Sequence, residues 1–351
     1  MRKLALVSTL LLIPLALAAA ALSARPKAIP GASGTVWVVE RLDGATNTLA
    51  AFDASTGEVL GVVPVGRRPI GVIAPRGTGK VYSADERSNQ LSVLSKDSFT
   101  IVKRIPMGTF PHHLMAGPDG DLVYVGQYGT NTIGVVDTSL DEKIADWPAS
   151  ANPLAKTHAV WISNNGKELY ATNEGSTQAS VGTLSKLNAR TGELIWEHSI
   201  GARPSEVLVT ANRKLAYVSI RNENKVKVLD VSGDEPVQIG ETVVGTMPDT
   251  LQLTNDGKTL VVGLRGTPQM ALMDTETLAV RHVTFPGYGI SGHEWLSANG
   301  KYTFIALEAL VTTQPGAIAV VDNDSAEIVD TWPYPGGPWP HGVFYEPEVL
   351  R

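Results

Sequence analysis

A phrase of the form Gly-x-x-Pro-x returns along this chain at nearly constant spacing, and each copy runs into a short apolar stretch and then a polar turn. Strict copies are Gly66-Arg67-Arg68-Pro69-Ile70, Gly108-Thr109-Phe110-Pro111-His112, Gly201-Ala202-Arg203-Pro204-Ser205, Gly245-Thr246-Met247-Pro248-Asp249 and Gly337-Pro338-Trp339-Pro340-His341. Looser copies end at Thr157-His158 and Gly292-His293. Seven registers thus end on Ile70, His112, His158, Ser205, Asp249, His293 and His341, with steps of 42, 46, 47, 44, 44 and 48 residues. A period in this range belongs to a four-stranded propeller blade or to a helical array.

The interior of the repeat separates these two. After each register comes an apolar segment, then a turn such as Pro118-Asp119-Gly120, Asn164-Asn165-Gly166, Asn255-Asp256-Gly257 or Ala298-Asn299-Gly300, then a second segment such as Leu122-Val123-Tyr124-Val125. Asx-Gly between apolar runs is a hairpin signal, because both residues tolerate the positive φ of a tight turn. Two further segments rich in Val and Ile follow, and 34 Gly and 22 Pro punctuate the chain too often for long helices. The pattern predicts four antiparallel strands, A to D, per repeat. The last register has only a strand A after it (Gly342 to Tyr345), while Thr35 to Glu40, Thr48 to Phe52 and Glu58 to Val65 supply an unmatched B, C and D. Joining the two ends closes a ring of seven blades and removes its open edges. The fold class expected is therefore all-β, a seven-bladed β-propeller whose last blade is built from both termini.

These repeats resemble the YVTN-type β-propeller family, with Pro at the start of strand A, an Asp-Gly-like turn and a Leu-Tyr-Val strand B. Pro111 to Val125 carries the likeness most closely, Thr157 to Thr172 and Pro204 to Ser219 follow, and it extends over residues 35 to 346. The resemblance implies the fold. It leaves function open, since propellers host lactonases, lyases, oxidases and binding scaffolds.

The first 24 residues combine Arg2 and Lys3, an apolar run from Leu4 to Ala21, and small residues at Ala18 to Ala21, the make-up of a secretory signal peptide. The domains expected are a signal peptide over 1–24, a linker over 25–34 and one propeller over 35–351, giving a periplasmic or secreted monomer with no membrane span after cleavage. The chain has no cysteine, which excludes Cys-linked haem c, iron–sulfur clusters, thiolate copper and cysteine nucleophiles. Its 29 basic and 35 acidic residues leave a net charge of −6, so nucleic acid is not an expected partner.

Sevenfold repetition allows equivalent positions to be aligned within one sequence. The residue at the start of strand A reads Ile70, His112, His158, Ser205, Asp249, His293, His341, so four of seven histidines share one place in four blades. Opposed across a narrow axis, they predict a transition-metal site, with iron or copper favoured and zinc admissible, rather than an oxygen-bound calcium or magnesium site. The competing assignment is that each imidazole binds a backbone carbonyl. The residue ending strand B reads Glu86, Tyr128, Glu174, Arg221, Arg265, Glu308, Arg41 and falls on the same face. Glu174 and Glu308 belong to histidine blades and are expected to orient imidazoles. Arg221, Arg265 and Arg41 are expected to bind an anion. Ser205, Asp249, Tyr128 and Glu86 complete the channel mouth. Alternation along a strand assigns His113 and Glu294 to the opposite side, and the tryptophans are expected to pack between blades.

The four-histidine layout is similar to that of carotenoid-cleavage oxygenases and, more loosely, to the copper site of nitrous oxide reductase. That similarity implies a metal-dependent oxidoreductase, here for a small anion because the loops are compact. Two alternatives stand beside it: a non-enzymatic scaffold binding a small molecule or protein on the funnel face, and a propeller lactonase or lyase.

Overall fold

A computed structural model describes residues 28–44, 47–177 and 180–348, so the predicted signal peptide lies outside the described residues. Seven four-stranded antiparallel sheets follow one another, each in the order A-B-C-D. Inner strands A are Pro69–Ile73, Pro111–Ala116, Lys156–Ile162, Pro204–Val209, Pro248–Leu253, Tyr288–Leu296 and Pro340–Pro347. Each touches the next, and the last touches the first, so seven inner strands surround one axis. We number blades from the Ile70 register.

Ring closure takes the predicted form. The C-terminal strand Pro340–Pro347 pairs antiparallel with Gly34–Glu40, matching Thr35 to Glu346, Trp37 to Phe344 and Val39 to Gly342. Asn47–Asp53 and Val59–Val65 complete this seventh blade. Trp37 Nε1 donates to Glu346 across the junction at 3.0 Å. Part of the predicted linker joins the core, with Ile29 and Ala32 buried against the sixth and seventh blades. Among the described residues no helix is long and apolar enough to cross a membrane.

The blades adhere through their apolar faces. Seven buried clusters are present among the described residues, each composed of residues from two neighbouring blades. Strand B supplies a large residue to most of them, such as Tyr82, Tyr170 and Phe304, as the alternation of an inward-facing strand requires. Tryptophans fill the outer parts of these seams, with Trp332 against Phe52 and Phe304 at 6.0 and 5.6 Å between ring centroids.

At the start of strand A the ladder to strand B is interrupted in every blade. Pairing jumps from Pro69 to Gly71, Pro111 to Leu114, Thr157 to Ala159, Pro204 to Val207, Pro248 to Leu251, Ser291 to Glu294 and Pro340 to Gly342. The residue that ends the repeated phrase is skipped in every blade, alone in three and together with one neighbour in the other four. A bulge bends its strand and re-aims the extra side chain, so here the phrase turns seven side chains toward the axis.

Where neighbouring inner strands approach most closely, only glycine fits. A Cβ on Gly342 would lie 2.3 Å from the Ile70 carbonyl oxygen. Gly342→Ala is therefore expected to destabilise the ring by about 1–3 kcal/mol, since backbone cannot yield as a flexible side chain does. Urea unfolding checks this through a lower midpoint at unchanged slope, and an unaltered midpoint would count against such tight packing.

Candidate functional site: a mouth of arginines over a layer of imidazoles

A cavity of about 320 Å³ opens at the end of the channel where strands A start. Ile70, His112, His158, Asp249 and His341 line it from the first column, and Arg41, Glu86, Tyr128, Glu174, Arg221 and Arg265 from the second. Arg68, Arg203 and Met247, the third residues of three repeated phrases, complete the wall. Ser205 sits behind Asp249 and donates to it. Glu308 stands at the rim, 2.8 Å from Arg265. His293 points lower and lines a smaller chamber further down the axis.

The imidazoles do gather, although not as two pairs meeting at one point. His112 and His158 lie 4.4 Å apart between ring centroids, and His293 and His341 4.3 Å. His113 joins the pairs, at 4.8 Å from His112, 4.8 Å from His158 and 4.6 Å from His293. Strand alternation had assigned His113 to the far side. The bulge overturns this, because pairing resumes only at Leu114 and both His112 and His113 are released from the ladder. Glu294 stays in the ladder, opposite Ile305, yet it lines the lower chamber with His113, Glu206, Thr250 and His293, and its carboxylate accepts from Thr250 of the neighbouring blade.

These residues come from one further column that the alignment held unread. The position after each register reads Gly71, His113, Ala159, Glu206, Thr250, Glu294, Gly342. Its polar members all face the lower chamber, and its glycines make room for them. Reading two successive columns, rather than alternate ones, is the signal that would have found them.

Hydrogen bonds fix the ring states. His158 Nδ1 lies 2.8 Å from the Ser205 carbonyl oxygen, an acceptor only, so Nδ1 carries the proton and Nε2 holds a lone pair. Arg221 points an N–H at that Nε2 from 3.3 Å. Arg265 likewise donates to His341 Nδ1 at 3.0 Å. Arginine and histidine are thus interleaved around the mouth. A long side chain ending strand B reaches across to the neighbouring blade, which column position alone does not show.

The carboxylates serve arginine more closely than histidine. Glu174 receives a two-pronged contact from Arg203 at 3.0 and 3.3 Å and the Tyr128 hydroxyl at 2.9 Å, while His158 Nε2 is 3.9 Å away. Glu308 is 2.8 Å from Arg265 and 3.4 Å from His341. Asp249 is buried, which opposes its charge, but contact with Arg221 outweighs burial and holds its carboxyl well below the usual range. Burial opposes the Glu174 charge too, and His158, Arg221 and Arg203 overcome it.

Arg41 stands farther from a carboxylate than the other four arginines. Its nearest, Glu308, is 3.8 Å away, and its buried Nε, like that of Arg221, has no partner. Burial, with Arg265 and Arg68 nearby, pushes its ionisation down to about 10. Five arginines line the cavity wall with Glu86, Glu174 and Asp249, and Glu308 and Asp43 join them at the rim, so charge is nearly balanced overall while Arg41 holds the loosest pairing.

Burial drives all five axial imidazoles toward the neutral form, and mutual repulsion or nearby arginine adds to it. A histidine whose folded pKa lies below its unfolded value of 6.5 stabilises the fold fully above pH 6.5 and loses that contribution as pH falls toward the folded value.

Comparison with known proteins gives the fold a context. A model of the family described as "Lactonase, 7-bladed beta-propeller" matches residues 158–278. That segment holds His158, Glu174, Arg203, Arg221, Asp249 and Arg265, and excludes His112, His113, His293 and His341. No curated protein matches the chain. Among solved structures, a putative 6-phosphogluconolactonase from Bacteroides fragilis superposes with a TM-score of 0.67 at 18% identity, covering 90% of this chain and 98% of that one. The periplasmic gluconolactonase PpgL of Pseudomonas aeruginosa gives 0.68 at 16%, covering 89% and 98%. A hypothetical selenium-binding protein from Sulfolobus tokodaii gives 0.72 at 11%, covering 89% and 93%. At these identities the likeness is one of fold.

In chelator, where only protons titrate, each buried histidine is expected to lower unfolding free energy by up to about 1.4 kcal/mol per pH unit between pH 7.5 and pH 5.5, while Glu206 and Glu294, whose carboxyls burial pushes up, act in the opposite direction. The histidine part is therefore read as a difference between proteins. In urea titrations His113→Gln should lose less stability than the wild type on acidification, and an equal or greater loss would refute the buried neutral state.

Proposed function

We propose that the mouth binds a small lactone bearing a phosphate or carboxylate and opens its ring by hydrolysis. The observation that carries this reading is Arg41, a half-buried guanidinium beside Arg68 and Arg265 whose nearest carboxylate is 3.8 Å away. An anion docked there relieves cation–cation repulsion and completes the missing hydrogen bonds, which makes the empty site selective for negative charge. The cavity suits one sugar-sized ring rather than a long chain.

The walls supply the remaining parts for acyl transfer. His158 is neutral, with its Nε2 lone pair on the cavity side and its ring oriented by the Ser205 carbonyl. Water adds to the lactone carbonyl carbon as His158 Nε2 accepts its proton, and an Arg221 N–H meets the charge that develops on the carbonyl oxygen. The ring C–O bond then breaks, and the leaving alkoxide takes the proton back from the imidazolium. Water is consumed and a hydroxy acid released. Both groups lie within the segment matched by the lactonase family model. Solved neighbours named for gluconolactonase activity share the fold. A metal-dependent oxidation draws less support, because the wall chemistry of arginine and neutral imidazole is that of anion binding and proton transfer. The leader-like first 24 residues make this, on the same reading, an exported enzyme.

Purified protein assayed with a panel of lactones by acid release is expected to favour anionic over neutral members. Arg41→Ala should raise KM for an anionic lactone about 10- to 100-fold, the cost of one charge-assisted contact, with a small effect on kcat, and Arg41→Lys should recover part of it. Equal KM for charged and neutral lactones, or unchanged KM in Arg41→Ala, rejects the assignment.

A further inference from the structure

Beneath the arginines, buried imidazole nitrogens have no hydrogen-bond partner, and they crowd together. His112 Nδ1, His113 Nε2 and His293 Nε2 are each buried without a partner. An unsatisfied buried polar atom costs roughly 1–3 kcal/mol, so three in one place call for an explanation. One nitrogen from each of His112, His113 and His158 falls within 4.8 Å of the others.

The surroundings of two of these rings repeat a single device. In His158, Nδ1 donates to the Ser205 carbonyl, and the Nε2 lone pair meets a longer approach from an Arg221 N–H, at 3.3 Å, that an ion would displace. In His113, Nδ1 faces Glu206 at 3.5 Å and Nε2 is the unpartnered atom. An oxygen fixing one ring nitrogen while the other keeps its lone pair is the arrangement that holds metal-ligating histidines in tautomer and orientation. Ser205 and Glu206 are successive residues of one bulge, so a single distortion of the fourth blade orients imidazoles from the second and third.

From this juxtaposition we propose that the neck of the channel binds one divalent late transition-metal ion through His112, His113 and His158, with His293 adjacent as the further nitrogen donor. The set differs from the one expected from the first column alone: His113 enters and His341 leaves, because the nitrogens that gather within 4.8 Å are those of His112, His113 and His158. Neutral nitrogen donors select zinc, cobalt, nickel, copper or ferrous iron over calcium and magnesium. Donors up to 4.8 Å apart must draw in to about 3.3 Å around a tetrahedral ion, a side-chain rotation rather than a backbone movement. The inference does not rest on the lactone reading. A ligating His158 Nε2 could not also accept a proton from water, so the lactone reading describes the chain without the ion.

The test uses full-length protein purified without a histidine tag, stripped with chelator, and titrated with Co(II) and Zn(II). Expected are one ion per chain by calorimetry and visible Co(II) absorption of low-symmetry nitrogen coordination. His113→Gln and His158→Gln should each weaken binding at least 100-fold, while His341→Gln changes it less than fivefold. Glu206→Gln, which removes no ligand, should weaken it about 10-fold through the His113 tautomer. Thermal melts in chelator establish that each variant is folded, and Co(II) absorption of the Glu206→Gln protein gives a readout should a histidine variant fail to fold. No stoichiometric ion in the wild type overturns the proposal, as does a loss in His341→Gln equal to that in His113→Gln. Lactone selectivity measured with Arg41→Ala is a separate readout, so either reading can fail alone.

Discussion

Pairing of the C-terminal strand with Gly34–Glu40 is the contact on which the rest of this molecule depends. Every blade has one apolar face toward each neighbour, and seven clusters can all be buried only when the ring has no free end. Closure also sets the site. It brings the starts of seven inner strands around one axis, so residues as far apart in sequence as His112 and His341 share a cavity.

Within that ring, the bulge at the start of each inner strand converts scaffold into chemistry. A regular strand would send one of two successive residues to the axis and hide the other. Interrupting the ladder releases both in the second, fourth and fifth blades, as His112 with His113, Ser205 with Glu206, and Asp249 with Thr250. Two polar layers result. The upper one carries arginine, carboxylate and the imidazoles of His112, His158 and His341 at the mouth, and the lower one carries His113 and His293 with Glu206 and Glu294 in the neck. They differ in electrostatics as well as depth. The mouth holds fixed charges of both signs, whereas the neck holds rings that burial keeps neutral. One layer suits an anion and the other suits proton transfer or coordination.

Much of this was legible in the sequence because the repeat supplies its own alignment. Period, turn chemistry and the matching fragments at the two termini specify seven blades and the manner of closure. Both columns converge on one face as anticipated: Arg41, Glu86, Tyr128, Glu174, Arg221 and Arg265 line the mouth, and His112, His158, Asp249 and His341 lie beside them. Strand alternation misplaced His113, since it assumes an unbroken ladder, whereas the ladder is interrupted where each repeated phrase ends. Pairings between columns were misjudged for a different reason. Glu174 and Glu308 stood in histidine blades and were expected to serve the imidazoles, yet Arg203 and Arg265 lie closer to them. A guanidinium on a long stem crosses to the next blade, and sequence position carries no measure of that reach.

The chain by itself therefore determined the architecture and the inventory of its axis: how many blades, where they close, and which residue types face inward from each register. Those follow from local rules of turn geometry, periodicity and edge pairing repeated seven times. Tertiary structure alone decided the partners. Whether an imidazole nitrogen is satisfied, which arginine holds the loosest pairing and which carboxylate fixes which ring depend on distances of a few ångströms across the axis. Those distances exist only once the ring is closed and the bulges have turned their side chains inward.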